Sequence, residues 1–157
     1  MADIGKAFSA TWKKAATIAV VWSVIAGVVG LIPVINVLAL LVFVPLAFVI
    51  PIVVGYLSTP LAASGKVELG DGAIIGAVSG VVYGLVAGIV GIIFAIINVV
   101  FGVSISGALA GAEQAGAAAA GGIIGIIIGV VIGLPLGIIF ALVLGAIGGI
   151  IYSITKK

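Results

Sequence analysis

Residues 121–155 read GGIIGIIIGVVIGLPLGIIFALVLGAIGGIIYSIT, thirty-five positions without one charged side chain. In water such a segment could show no polar face on any secondary structure. In lipid it becomes intelligible, because a helix bonds all its own peptide groups and needs nothing polar from the solvent. About twenty apolar residues suffice to cross a bilayer, so this stretch is more than long enough. Its glycines carry a second message. Gly121, Gly125, Gly129, Gly133 and Gly137 recur every fourth residue, and the series continues through Ala141 to Gly145 and Gly149. At 3.6 residues per turn, a period of four draws one slowly drifting stripe along a helix.

The same character extends through the chain. Of 157 residues, 65% are hydrophobic and 6% charged, against about 25% charged in a soluble domain. Uncharged runs cover 15–65, 72–112 and 114–155. Ten charged side chains cannot clothe a soluble fold of this size. The chain is expected to be all-α, a polytopic transmembrane helical bundle forming a single membrane domain over 1–157. Cysteine, histidine and arginine are absent, which excludes disulfides and thiolate metal sites. A net charge of +2, thinly spread, gives no footprint for nucleic acid.

Four spans are expected, at about 15–32, 36–58, 72–105 and 121–155. Residues 1–14 (MADIGKAFSATWKK) place Ile4, Phe8 and Trp12 on one helical face, as in a short interfacial helix or a water-exposed extension of the first span. The apolar run that follows exceeds a signal-peptide core, so the first span is read as retained. Pro33 and Asn36 mark a tight turn. Pro45 and Pro51 lie inside span two and invite kinks. The segment 59–71 (TPLAASGKVELGD) reads as an aqueous loop, with Asp71 placed to favour the start of the next helix. Each of the last two apolar runs is about 50 Å long as a straight helix, against a hydrocarbon core of about 30 Å. One long, kinked span is expected in each. Pro135 is the natural break in the second, and Asn98 or the Gly88–Gly91 pair in the first. Tilt, protrusion or a re-entrant break would also absorb the excess. Residues 106–120 (SGALAGAEQAGAAAA) read as a far-side loop or as a helical continuation of either neighbour.

With four spans, all six lysines fall on one side. The positive-inside rule then places both termini in the cytoplasm, in a multi-pass protein of the cell membrane.

Gly72, Gly76, Gly80, Gly84 and Gly88 form a second ladder of period four. Together with Gly121, Gly125, Gly129, Gly133, Gly137, Gly145 and Gly149 they are the expected helix-packing residues, a glycine zipper on which backbones approach closely. The two ladders could pack against each other within one subunit, form an oligomer face, or line a channel. No catalytic constellation is present, no cofactor is expected, and the chain does not read as an enzyme. Glu113 with Gln114 is the one candidate ion site, because an intramembrane carboxylate is a functional hypothesis in its own right; alternatively it lies in a solvated loop. Glu68 and Asp71 read as loop charges rather than metal ligands.

At Gly55, Tyr56, Leu57, Asp71, Gly72, Gly76 and Gly80, and in the closing GAIGGIIYSITKK, the chain resembles small glycine-rich, archaeal-type multi-span membrane proteins of unknown function. That resemblance implies a multi-span membrane protein and no activity. Rotor-ring proteolipids are similar in length and glycine content, but they carry a carboxylate within a span. The runs 72–105 and 121–155 contain none. The expected role is structural or accessory: a membrane subunit, surrounded by lipid, that packs with itself or with a larger complex. The alternative is a homo-oligomeric channel or ion-translocating ring using Glu113.

Overall fold

The computed structural model describes residues 2–63 and 65–156; at 33–40, 105–107 and 109–110 only the backbone is described. Ser64 and Lys157 lie outside the described residues, as does the side chain of Asn36. The described chain is mostly helical, with α1 Ile4–Gly30, α2 Pro33–Ala62, α3 Leu69–Ala110, α4 Ala112–Ile128 and α5 Leu134–Thr155. A single π turn, Gly129–Gly133, joins the last two. There are no strands among the described residues. Four of the helical stretches are long and apolar enough to cross a membrane: Ile4–Gly30, Leu41–Ala62, Leu69–Ser104 and Ala112–Thr155.

Each boundary has a local cause. Asp3 caps α1, its carboxylate accepting from the Gly5 and Lys6 amides. Residues 1–14 do not form a separate helix; from Ile4 onward they belong to α1. Pro33 opens α2 at a position where its missing N–H costs nothing. The aqueous loop is shorter than the sequence implies. Helix α2 runs on through Thr59 and Pro60 to Ala62, and both Ser58 and Thr59 are buried. Residues 106–120 are not a loop either. Helix α3 continues to Ala110, Gly111 breaks the chain at φ +91°, and α4 begins at Ala112. Such a φ is open to glycine and strained for other residues. No interruption marks Asn98 or Gly88–Gly91. In the second run Pro135 lies just beyond the π turn, where Leu134 N–H reaches back to Gly129 O. The widened turn absorbs the donor that proline lacks.

Packing follows from these turns. Helix α3 folds back on α4 and α5 as one long antiparallel hairpin, and α1 and α2 pack on its lower part. Helix α1 runs parallel to α3: the Ala2 amide donates to Asp71, and Gly27 abuts Phe94. That register sets the α1–α2 turn at Leu31 level with Asn98. From Asp71 to Asn98 is about 40 Å of helix, the thickness of a bilayer with its headgroups. Beyond Asn98 the hairpin continues alone for about 18 Å.

The interior is made of small residues. Ala7, Thr11, Ala15 and Ala19 form the buried stripe of α1. Ala15, Ala19, Val54, Tyr83 and Ala141 make the apolar core. Large aliphatics point outward instead, among them Leu41, Val131, Leu136 and Ile139. Ile4, Phe8 and Trp12 are likewise exposed. This inverts the soluble pattern and suits a lipid solvent. Four buried hydroxyls donate to carbonyls of their own helices: Thr11 to Ala7, Thr59 to Gly55, Ser79 to Gly76 and Ser153 to Gly149, at 2.7–3.0 Å. Each costs little, because its bond is local.

Candidate functional site

The glycine positions divide into two groups. A Cβ built on Gly72 would collide with Gly149 O, one on Gly76 with Gly145 O, and one on Gly80 with Ala141 O. The relation is reciprocal, since Cβ atoms on Gly145 and Gly149 would meet Gly76 O and Gly72 O. Each glycine therefore aims a Cα–H at a carbonyl of the facing helix, a weak but repeated attraction. Gly84 abuts Ala141 and Ile138, and Gly88 abuts Leu134. These pairs are symmetric in number about Gly111, so the position of that one turn sets the register.

Gly121, Gly125, Gly129, Gly133 and Gly137 differ: among the described residues, a Cβ on any of them would meet nothing within 4 Å. The reason is a mismatch of pattern across the hairpin. The α3 ladder stops at Gly88, whereas the opposite one continues to Gly121. Facing Gly122–Gly133, α3 mixes the small Gly91 and Ala95 with Ile92, Asn98 and Val99, and with Val99 set against Gly122 and Leu134 against Gly88 the two backbones stay apart while the small residues between them leave room. The result is a cleft of about 750 Å³ between α3 and α4–α5, walled on one flank by Ala47 and Pro51 of α2. Pro51 also deprives the Ala47 carbonyl of its helical donor. Tyr83 lines the deep end and Asn98 the outer end. The Asn98 side-chain amide donates to Phe94 O at 2.9 Å. The lining is mainly apolar.

Two glycines pressed against the backbone of another helix escape a search for period-four ladders. Gly55 meets Gly145, and Gly148 meets the α2 backbone at Ile52 and Tyr56. Gly148 precedes ladder residue Gly149 and so faces about 100° away around the helix, toward α2 rather than α3. The Gly148–Gly149 doublet is the signal that could have revealed it. Gly145 thus sits where α2, α3 and α5 converge.

Glu113 and Gln114 stand in the first turn of α4, exposed at the hairpin tip. There the carboxylate complements the positive end of α4. At the opposite end of the bundle lie Asp3, Asp71, Glu68 and Lys156, where Ser153 Oγ donates to Glu68 O at 3.4 Å. Lys14 Nζ donates to Leu57 O at 3.4 Å. Ser58 Oγ is buried without a hydrogen-bond partner among the described residues. Among those residues, no group of three potential metal-ligating His, Cys, Asp or Glu side chains gathers. Compared with family models, curated proteins and solved structures, the chain finds no match. Its likeness to small glycine-rich multi-span membrane proteins therefore rests on its own motif residues, from Gly55 to Gly80 and at the C-terminus.

Proposed function

We propose that this is a non-catalytic, structural or accessory protein of the cell membrane, assembling with itself or with a larger membrane complex through small-residue helix faces. The observation that carries the reading is the lone outer hairpin. Beyond Asn98, α3 and α4 leave α1 and α2 behind, yet Val100 and Phe101 are 59% and 58% exposed. Gly102, Gly116 and Gly121 there have no atom of the described residues within 4 Å of where a Cβ would be. Apolar and small residues held beyond the bilayer boundary call for a covering surface. In that role the lower glycines act as an intrachain zipper that stiffens the hairpin, and the outer ones receive the partner.

The orientation belongs to the same proposal. Asp71, Lys156 and the start of α1 gather at one end, with the Lys66 loop, and the positive-inside rule makes that end cytoplasmic. The chain has no native cysteine, so single cysteines report cleanly. Lys66→Cys and Lys156→Cys should react from the cytoplasmic face with an impermeant maleimide, and Gln114→Cys from the other face. Assembly is tested by crosslinking in native membranes and by mass measurement in mild detergent. Wild type should form a defined oligomer or complex, and Gly116→Leu should dissociate it while keeping its helix content. A wild-type monomer without partners in both measurements ends the proposal. An ion-translocating ring using Glu113 and Gln114 would need neighbouring copies to cover a carboxylate that one chain leaves exposed; unchanged ion flux in Glu113→Gln liposomes would exclude it.

A further inference from the structure

The cleft between α3 and α4–α5 lies at membrane depth, between the level of the core residue Ala15 and that of the α1–α2 turn. From Tyr83 to Val99 it follows sixteen residues of α3, about 24 Å of helix. We infer that it holds one acyl chain of a bilayer lipid from the non-cytoplasmic leaflet as a resident ligand, distinct from the exchanging lipid around the bundle.

Three observations select that occupant. First, the cleft is closed at both ends by helix contact. Val99 lies against Gly122 above, and Gly84 lies against Ala141 below. Leu134, resting on Gly88, narrows it between. A straight helix needs a groove open at both ends; a flexible chain does not. Second, the size fits a chain. A polymethylene chain one carbon contact wide, about 4–5 Å, fits with slack. An extended chain advances about 1.2 Å per bond, by analogy with the extended backbone, so 24 Å accommodates about 16–20 carbons. Third, polarity changes in the direction a lipid requires. The deep wall is glycine, alanine and aliphatic, and Asn98 stands at the outer end, level with the turn where α1 and α2 leave the bilayer. A headgroup at Asn98 puts the chain inward along Gly129 and Gly133. Empty space open to lipid at this depth fills with hydrocarbon, and a walled slot holds that hydrocarbon longer than an open surface does.

The inference rests on the chain being embedded in lipid, and its choice of leaflet on the proposed orientation, but not on the partner proposed for the outer hairpin. The test is native mass spectrometry of the full chain, delipidated in mild detergent and then incubated with a single-chain phospholipid bearing an 18-carbon acyl group. Wild type should retain one molecule per chain. Gly129→Leu fills the cleft from a position with no neighbouring atom and should lower retention at least tenfold, with unchanged helix content. Gly125→Leu guards against a local folding failure at the π turn and should behave the same way. Gly116→Leu, at the hairpin tip, should leave lipid retention unchanged whatever it does to assembly. Equal retention by wild type and both cleft-filling variants would reduce the bound lipid to surface lipid and overturn the inference. A crosslink from Gly129→Cys to a second copy would place a protein helix there and overturn it as well.

Discussion

Replacing Gly80 by alanine tests whether backbone contact holds α3 to α5. A Cβ there would lie 2.9 Å from Ala141 C and 3.1 Å from Leu142 Cα, and closer still to the Ala141 carbonyl oxygen. Ordinary carbon contacts lie at about 3.5–4.0 Å, and opening a gap of 0.5–1 Å forfeits a quarter to a half of each dispersion well. The obstructing atoms are main chain and cannot rotate aside. Relief requires the helices to part, at a cost of about 1–3 kcal/mol for an overpacked site. Alanine also favours helix over glycine by about 0.8–1.0 kcal/mol, which would partly mask the clash. Gly125→Ala supplies the reference, because it gains the same propensity where no atom lies within 4 Å. The difference between the two variants isolates the steric term and should be about 1–3 kcal/mol, roughly 5- to 150-fold in the unfolding equilibrium. Reversible unfolding in mixed micelles, followed by the fluorescence of Trp12 and Trp22, measures it. Equal midpoints for Gly80→Ala and Gly125→Ala would refute close backbone packing between these helices.

Gly111→Ala should weaken the outer hairpin by about 1–3 kcal/mol, since φ +91° with ψ 174° is a region held almost only by glycine; faster amide exchange around 105–118 in detergent would report it. Asp3→Ala should cost α1 about 0.5–2 kcal/mol by removing the acceptor of the Gly5 and Lys6 amides, visible as fraying of the first turn in the same exchange experiment. Ser58→Ala should be neutral or slightly stabilising, because the Ser58 hydroxyl is buried with no partner among the described residues and its removal eliminates a desolvation cost of about 1–3 kcal/mol. Gly148→Ala should destabilise by about 1–3 kcal/mol through the α2 backbone at Ile52, although Gly148 belongs to neither ladder; thermal unfolding against Gly125→Ala would show it.

Some of this architecture is legible without coordinates. Helices in lipid follow from long uncharged runs, because a peptide group in hydrocarbon has no partner other than its own helix. The ladders at Gly72–Gly88 and Gly121–Gly149 follow from spacing alone. Other features resist that reading. Thr59 and Pro60 look like loop residues, and the segment 106–120 around Glu113 and Gln114 reads equally as a loop or as a helical continuation, because polarity in a sequence does not reveal where a helix stops relative to a bilayer. Helix α2 buries Ser58 and Thr59 against its neighbours, and α3 carries its weakly polar end past the α1–α2 turn.

The amino-acid order by itself determined the solvent, the secondary structure and the stripes of bare backbone, all of which depend on side chains a few residues apart. Tertiary structure decided how those stripes are used. A period-four ladder looks the same along its whole length, so only the position of the reversal at Gly111 assigns Gly72–Gly84 to Ala141, Gly145 and Gly149. The same reversal sets Gly125–Gly133 opposite a stretch of α3 where Gly91 and Ala95 alternate with Ile92, Asn98 and Val99, and a cleft remains.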